Sequence, residues 1–476
     1  MNKYERLPTI VAIAITLITT RRKAYHEVIA RLKQKYGDMF SFRVGSYHIF
    51  VLSRIDHIQH VLSNRQTYDI SEITTRNFSL LFPRGLLALQ GDIWKRHARI
   101  MLPMFRRGRI LPYFDTIITC IDSFINKQFA QQNGKIHTDL VAQCQHVLLT
   151  IIARIAFNYD FDTLSSVDGR CFREALNITV HSVNQFALMV GIPLWIAKIM
   201  LSINWKFQRA LRTMRHFVMH IIDEEQLRQE QNTDMMDRPK TLIGSLVGAI
   251  ESDSSSSSIK VSLSPDEVFD EVTMSILAGF ETTSTALSWF IYFASKHPDV
   301  QQKIKDELIE HHLTPDATLT PDILDSLTYV ECVMKEVLRF APIAAGTVRQ
   351  AISDDIIDGV QIKKEDIFLL AIQNVHRDPR YWKLDPTKFL PERFLDEDKY
   401  PPQYAYLPFG GGHRACIGQD LALLELKIAI TRLMQRVTIE DAGNDGNNSG
   451  GFIQRITCFP KHMAVRVQMN SDKKTQ

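Results

Sequence analysis

The chain has 476 residues, 45% of them hydrophobic and 23% charged, with 56 Lys plus Arg against 53 Asp plus Glu. That balance is ordinary for a folded globular chain and excludes wholesale disorder, a collagen-like repeat and a polytopic membrane protein. Six cysteines are too few for a disulfide scaffold, and a net charge of +3 gives no reason to expect nucleic acid as a partner.

Length alone, at about 100–200 residues per domain, suggests roughly three domains. The first element is an apolar run from Leu7 to Thr20, with Lys3 and Arg6 before it and Arg21, Arg22 and Lys23 after it. The run is short for a helix that must cross about 30 Å of hydrocarbon. Three readings stand: a buried or interfacial helix, a secretory signal without a small-residue cleavage site, and a short anchor with its basic cluster in the cytosol. A strand-prone stretch follows near residues 38–52. The segment around Trp94 then carries Lys95, Arg96, Arg99, Arg106, Arg107 and Arg109, a pattern that suits a solvated helix face. Phe186 to Trp205 is a second apolar stretch, interrupted by Gly191-Ile192-Pro193 and Lys198. It reads as two helix pieces around a turn, with a greasy surface exposed or in contact with lipid.

Ser254 to Ser258 reads as a surface loop. A long helix starts after it: Ser264 caps, Pro265 fits the first position and Glu267 completes a capping box, with His297-Pro298 ending the pattern. This helix contains Ala278-Gly279-Phe280-Glu281-Thr282-Thr283. By itself that is an acidic-polar patch. Gly279 weakens the helix locally, and a Thr hydroxyl bonded one turn back distorts the ladder and opens a notch. Residues 301–340 are again helical in pattern, with Glu336 and Arg339 on one face at i and i+3. On a surface such a pair is worth under about 1 kcal/mol. Strands are expected near 356–370 and 452–467, and AGNDGNNSGG (442–451) is a turn between two strand-prone segments. No internal repeat is visible and helices dominate.

The sharpest feature is Phe409-Gly410-Gly411-Gly412-His413-Arg414-Ala415-Cys416-Ile417-Gly418, followed at once by an amphipathic helix pattern. Glycines let the backbone approach a flat ligand, and a cysteine at a helix N-terminus is held as thiolate. The bland reading is a buried free cysteine beside a turn. A phosphate loop lacks its Lys-Ser/Thr, and zinc lacks further ligands nearby. One thiolate suffices where a macrocycle supplies the other ligands, which points to haem iron.

FGGGHRACIG resembles the cysteine-ligand loop of the cytochrome P450 haem-thiolate monooxygenases, Phe-x-x-Gly-x-Arg-x-Cys-x-Gly, with Phe409, Gly412, Arg414, Cys416 and Gly418 in the fixed positions. AGFETT is similar to the family's distal-helix motif, and Glu336, Arg339 and Arg393 (in PERF) to its structural lock. The resemblance covers about residues 30 to 470. It implies a mainly α fold with small β-sheets, haem b as cofactor and Cys416 as axial iron ligand. It implies Phe409 beside the sulfur, Trp94, Arg349 and Arg414 on the haem propionates, and Glu281 with Thr282 as the proton relay. Ala98 stands where the family has a second propionate-binding Arg. His97 or Arg99 could substitute, and the bland reading of both is surface charge.

Groups from Trp94 to Gly418 converging on one haem imply one large domain, 30–470, behind an N-terminal segment, 1–29, with a candidate anchor at 7–20. The resemblance also implies O2, a lipophilic substrate and a cytosol-facing place on the endoplasmic reticulum. Without a dinucleotide motif of its own, the chain would take electrons from a separate NADPH-dependent flavoprotein reductase, for which the basic segment offers a docking face. The rivals are an electron-independent haem-thiolate isomerase or dehydratase, and a non-catalytic haem- or lipid-binding protein. Substrate-lining residues are expected within 70–92, 182–206, 274–282, 343–348 and 452–460, with Phe78, Leu81, Phe82, Phe280 and Phe452 available.

Overall fold

The computed structural model describes residues 5–6, 24–157, 167–187, 193–231, 241–251 and 262–470. The candidate anchor at 7–20, the serine run and the turn residues 188–192 lie outside them.

The fold is mainly α with small sheets. Eight helices matter for the site: α1 (Ile55–Ser63), α2 (Gly91–Met101), α3 (Leu140–Phe157), α4 (Leu194–Ile203), α5 (Trp205–Gln231), α6 (Pro265–Lys296), α7 (Thr328–Phe340) and α8 (Gln419–Arg436). One hydrophobic cluster draws residues from Leu81 to Val467, and α6 runs through it. Both halves of the α6 capping box form: the Glu267 amide donates to Ser264 Oγ at 3.3 Å, and the Ser264 amide to Glu267 Oε2 at 2.8 Å. Pro265 sits at the first turn and the helix ends at His297. Among the described residues, only α3 is long and apolar enough to cross a membrane, and 72% of it is buried inside the fold.

Six strands form the largest sheet: β1 (Glu5–Arg6), β2 (Met39–Val44), β3 (Tyr47–Leu52), β4 (Tyr68–Ile70), β5 (Thr347–Ala351) and β6 (Ile367–Leu370), in the order β1-β2-β3-β6-β5-β4. The expected strands at 38–52 and 356–370 are there. The short β4 and β5 were not anticipated, since their tertiary partners decide them. A hairpin of β7 (Gly450–Gln454) and β8 (Cys458–His462) docks on α6, where Trp289 Nε1 donates to the Cys458 carbonyl at 2.7 Å. The turn at 442–451 joins strands of different sheets: Val437–Asp441 pairs with Val465–Met469, not with β7. The helical pattern of 301–340 is broken into separate helices, with no helix between His311 and Thr320.

The greasy stretch forms α4, exposing Trp195 (63%) and Ile203 (74%), with Trp205 (66%) at the start of α5. An apolar surface of this kind marks a binding or membrane-contact face.

Deep between α8 and α6, Glu425 is hydrogen-bonded to Thr283, and burial pushes its carboxyl from 4.5 up to about 8. The folded chain therefore holds a proton that the unfolded chain releases, so this group's stabilising contribution is lost as pH rises from about 4.5 to 8. The advantage of Glu425→Gln in thermal midpoint should grow over that window. A pH-independent difference would refute the assignment.

Candidate functional site

The glycine loop is held from three sides. The Cys416 amide donates to the Phe409 carbonyl at 2.9 Å, and the Leu407 amide to His376 Nε2 at 2.9 Å. His376 Nδ1 lies 3.2 Å from the Arg339 carbonyl, so the two partners select the Nδ1–H tautomer. Burial keeps that imidazole neutral, its pKa lowered to about 3. At Gly412 the backbone has φ +70°, and an added Cβ would lie 2.5 Å from the Leu62 carbonyl oxygen of α1. Only glycine fits this approach.

Cys416 precedes α8 and is accessible to solvent, although protein atoms crowd it closely, as befits a group lining a cleft. Gly418 donates its N–H to the sulfur, yet burial pushes the thiol pKa up and outweighs that bond. The expectation that the helix terminus alone holds a thiolate is therefore corrected: burial opposes ionisation of this thiol.

Behind the loop lies the lock. Glu336, Arg339 and Arg393 are all completely buried. Glu336 accepts from Arg339 Nε and Nη2 at 2.7 Å each, from Arg393 Nε at 3.2 Å and from the Leu390 amide at 2.8 Å. Sequence reasoning missed the fourth member, Asp398, which accepts from Arg393 Nη1 at 3.1 Å and balances the second guanidinium. Nothing in its surroundings, FLDEDKY, marks it.

Trp94, Arg349 and Arg414 come together near the loop. The Arg414 guanidinium lies 3.9 Å above the Trp94 ring, and Arg349 Nη2 donates to the Gly411 carbonyl at 3.3 Å. His97 is corrected: it is fully buried, with Nδ1 2.6 Å from Glu271 of α6, while Arg99 is exposed as surface charge. His97, Ala98 and Met101 share the inward face of α2, a helical spacing that could have announced it. The basic segment is also less positive than its sequence suggests, since Lys95, Arg96 and Arg107 pair with Asp92, Glu267 and Asp325. Arg99, Arg106 and Arg109 remain exposed.

On α6, every residue from Asp270 to Ser295 is buried except Ala278, Gly279, Thr282 and Tyr292. The first three form an accessible window one turn long in a helix otherwise enclosed. Thr282 Oγ1 donates to the Ala278 carbonyl at 2.7 Å, as expected, but the helix stays continuous. Back-bonding shares the carbonyl without displacing the amide. Glu281 lies outside the window, almost fully buried, bonded by Gln145 Nε2 at 3.1 Å and Thr457 Oγ1 at 3.2 Å. Burial raises its carboxyl pKa, against the opposing charge of Arg455. Leu81 and Phe82 line a narrow apolar cavity with Leu277, Met214 and Val180, whereas Phe452 packs on Trp289 at 5.6 Å.

The sequence profile of the cytochrome P450 family matches residues 6–455. The chain belongs to that family. It is 27% identical over 437 residues to cytochrome P450 3A9 of Rattus norvegicus, spanning 89% of this chain and 83% of the relative. It is 26% identical over 442 residues to the protein LUTEIN DEFICIENT 5, chloroplastic, of Arabidopsis thaliana, spanning 89% and 70%. The crystal structure of the cytochrome P450DA heme domain superposes with a TM-score of 0.80 at 22% identity, covering 96% of this chain and 94% of that one, which shows the shared fold. This P450 is thus an oxidoreductase of the haem-thiolate monooxygenase class, and its cofactor is haem.

The residues present suit that cofactor. Cys416 stands as a single thiol, accessible to solvent, at the exit of the glycine loop, which is what an iron that takes its other donors from a macrocycle asks of the protein. Of the two buried guanidiniums, Arg414 is bonded to the carboxylate of Asp69 and Arg349 feels it only at a distance, a surplus of positive charge that suits a dianionic ligand.

Proposed function

We propose that this P450 inserts one oxygen atom of O2 into a C–H bond or double bond of a lipophilic small molecule, with electrons from a separate NADPH-dependent flavoprotein reductase. The accessible window at Ala278, Gly279 and Thr282 carries this reading, because it opens a buried helix beside an acid and an alcohol. Haem bound through a cysteine thiolate supplies oxygen binding and O–O cleavage. Cys416 Sγ would hold the haem iron, with Phe409 on the same loop and Gly418 donating to the sulfur. Trp94, Arg349 and Arg414 would hold the haem carboxylates. Glu281 is the acid of the proton relay, its carboxyl pKa raised by burial, with the Thr457 hydroxyl bonded to it and the Thr285 hydroxyl 2.8 Å beyond. Thr282 presents its hydroxyl at the window. Glu336, Arg339 and Arg393 lock the scaffold behind the cysteine loop.

Residues 30–470 act as one domain, a reading supported by the hydrophobic cluster that spans Leu81 to Val467. The basic-flanked run at 7–20 and the exposed indoles of α4 and α5 support a cytosol-facing place on the endoplasmic reticulum membrane. For the reductase, the exposed Arg99, Arg106 and Arg109 of the basic segment support a docking face.

The test is NADPH-dependent turnover of the haem-loaded protein with reductase over a panel of lipophilic compounds. Product should form, and the rate of reduction should fall as salt rises. Glu281→Gln, close to isosteric, should lower coupled turnover by about 100-fold while the fold persists. Electron-independent rearrangement with no oxygenated product would overturn the reading in favour of an isomerase or dehydratase.

A further inference from the structure

The carboxylate Asp69 belongs to no motif, yet it stands at the centre of the cationic cluster. Strand β4 pairs with β5 so that Ile70 lies opposite Arg349, which puts Asp69 beside the guanidiniums. Asp69 Oδ1 accepts from Arg414 Nε at 2.8 Å and Oδ2 from Arg414 Nη2 at 3.1 Å, a two-point fork. The same Oδ1 lies 3.0 Å from His413 Nε2 and accepts the Ile70 amide at 2.7 Å. With Arg414 Nη1 donating to the Leu89 carbonyl at 3.1 Å and the ring of Trp94 beneath, the guanidinium plane is fixed on every side but one.

The charges do not balance as they do in the lock. Arg349 is 3% exposed and bonds only neutral oxygens, those of Thr347, Val348 and Gly411. Burial and the neighbouring Arg414 lower its pKa to about 10, with Asp69 acting against them. Ala98 contributes no charge, and His97 is turned away to Glu271.

We propose that Asp69 is a positioning residue of the haem site, a fixed internal carboxylate that clamps Arg414 and moderates the positive charge Arg349 and Arg414 present to the haem carboxylates. The inference rests on the assignment of those two arginines to the haem. Reduction of the iron adds one electron, and a more positive surrounding favours the reduced state. Asp69 therefore holds the reduction potential down, while its fork keeps Arg414 in place.

The experiment is an equilibrium redox titration of the haem-loaded enzyme, paired with the rate of haem transfer to excess apomyoglobin. Asp69→Asn removes the charge at constant size. The reduced-to-oxidised ratio at a fixed potential should rise about fivefold, roughly 40 mV at 59 mV per tenfold. Asp69→Glu keeps the charge but displaces the fork, so its potential should stay near wild type while haem loss accelerates about fivefold. An Asp69→Asn enzyme with the wild-type potential overturns the inference. Should that variant fail to fold, unchanged haem loss in Asp69→Glu overturns it as well. Arg414→Gln separates the two levels: a lowered potential there with no effect at Asp69 refutes only the role of Asp69, and no change in either refutes the arginine assignment beneath it.

Discussion

Replacing Cys416 by serine is expected to abolish the thiolate-type band of the reduced carbon monoxide complex and to cut NADPH-dependent turnover by about 1,000-fold or more, with the fold intact. The sulfur is the one soft donor at the exit of the glycine loop, and a hydroxyl cannot push electron density onto iron as a thiolate does. Stability should barely respond, because serine is close in size and the side chain receives only the Gly418 N–H. The loop is held by backbone bonds, Cys416 to Phe409 and Leu407 to His376, that the substitution leaves alone. Spectra of the reduced complex and the thermal midpoint of the same sample separate the two effects. A serine variant that keeps the thiolate-type band would remove Cys416 from the iron.

The second large effect is structural. Glu336→Gln should cost about 3–5 kcal/mol, seen as a much lower thermal midpoint and poor haem retention. Glu336 accepts four hydrogen bonds from three partners with no exposure to water. Glutamine keeps one acceptor oxygen but turns an N–H₂ toward the Arg339 guanidinium, donor against donor, and leaves the charge of both guanidiniums answered only by Asp398. The damage reaches the cysteine loop because Arg339 offers its carbonyl to His376, whose other nitrogen holds Leu407. Guanidinium N–H groups also tie Arg339 to the carbonyls of His376 and Pro386 at 2.6 and 2.9 Å, so the lock and the loop fall together. A glutamine variant with the wild-type midpoint would show that the lock is dispensable.

Those two sites differ in how much of them could be read without coordinates. FGGGHRACIG is ten adjacent residues, and both its turn chemistry and its cysteine are local. The capping box at Ser264 and Glu267 is local too, and it formed as written. Glu336 and Arg339 were visible as a spacing, but a spacing does not distinguish a surface pair worth under about 1 kcal/mol from a buried one worth several times more. Asp398 and Asp69 carried no signal, since each meets its guanidinium through tertiary folding and neither belongs to a periodic pattern. His97 had one in the inward face of α2, where Ala98 and Met101 keep it company.

By itself the sequence determined the glycine-cysteine loop, the long capped helix with its acid and alcohol, and the mainly helical class, because these rest on contacts within a few residues and on helical or strand period. Only the tertiary structure decided that Glu281 is buried away from the window that exposes Thr282. It also decided that burial opposes ionisation of the Cys416 thiol, that His97 faces Glu271, and that Asp69 clamps Arg414. The reason is common to all four: burial and the charges across a packed interface set how strongly a polar group is held and which way it points, and both depend on chain segments far away in sequence.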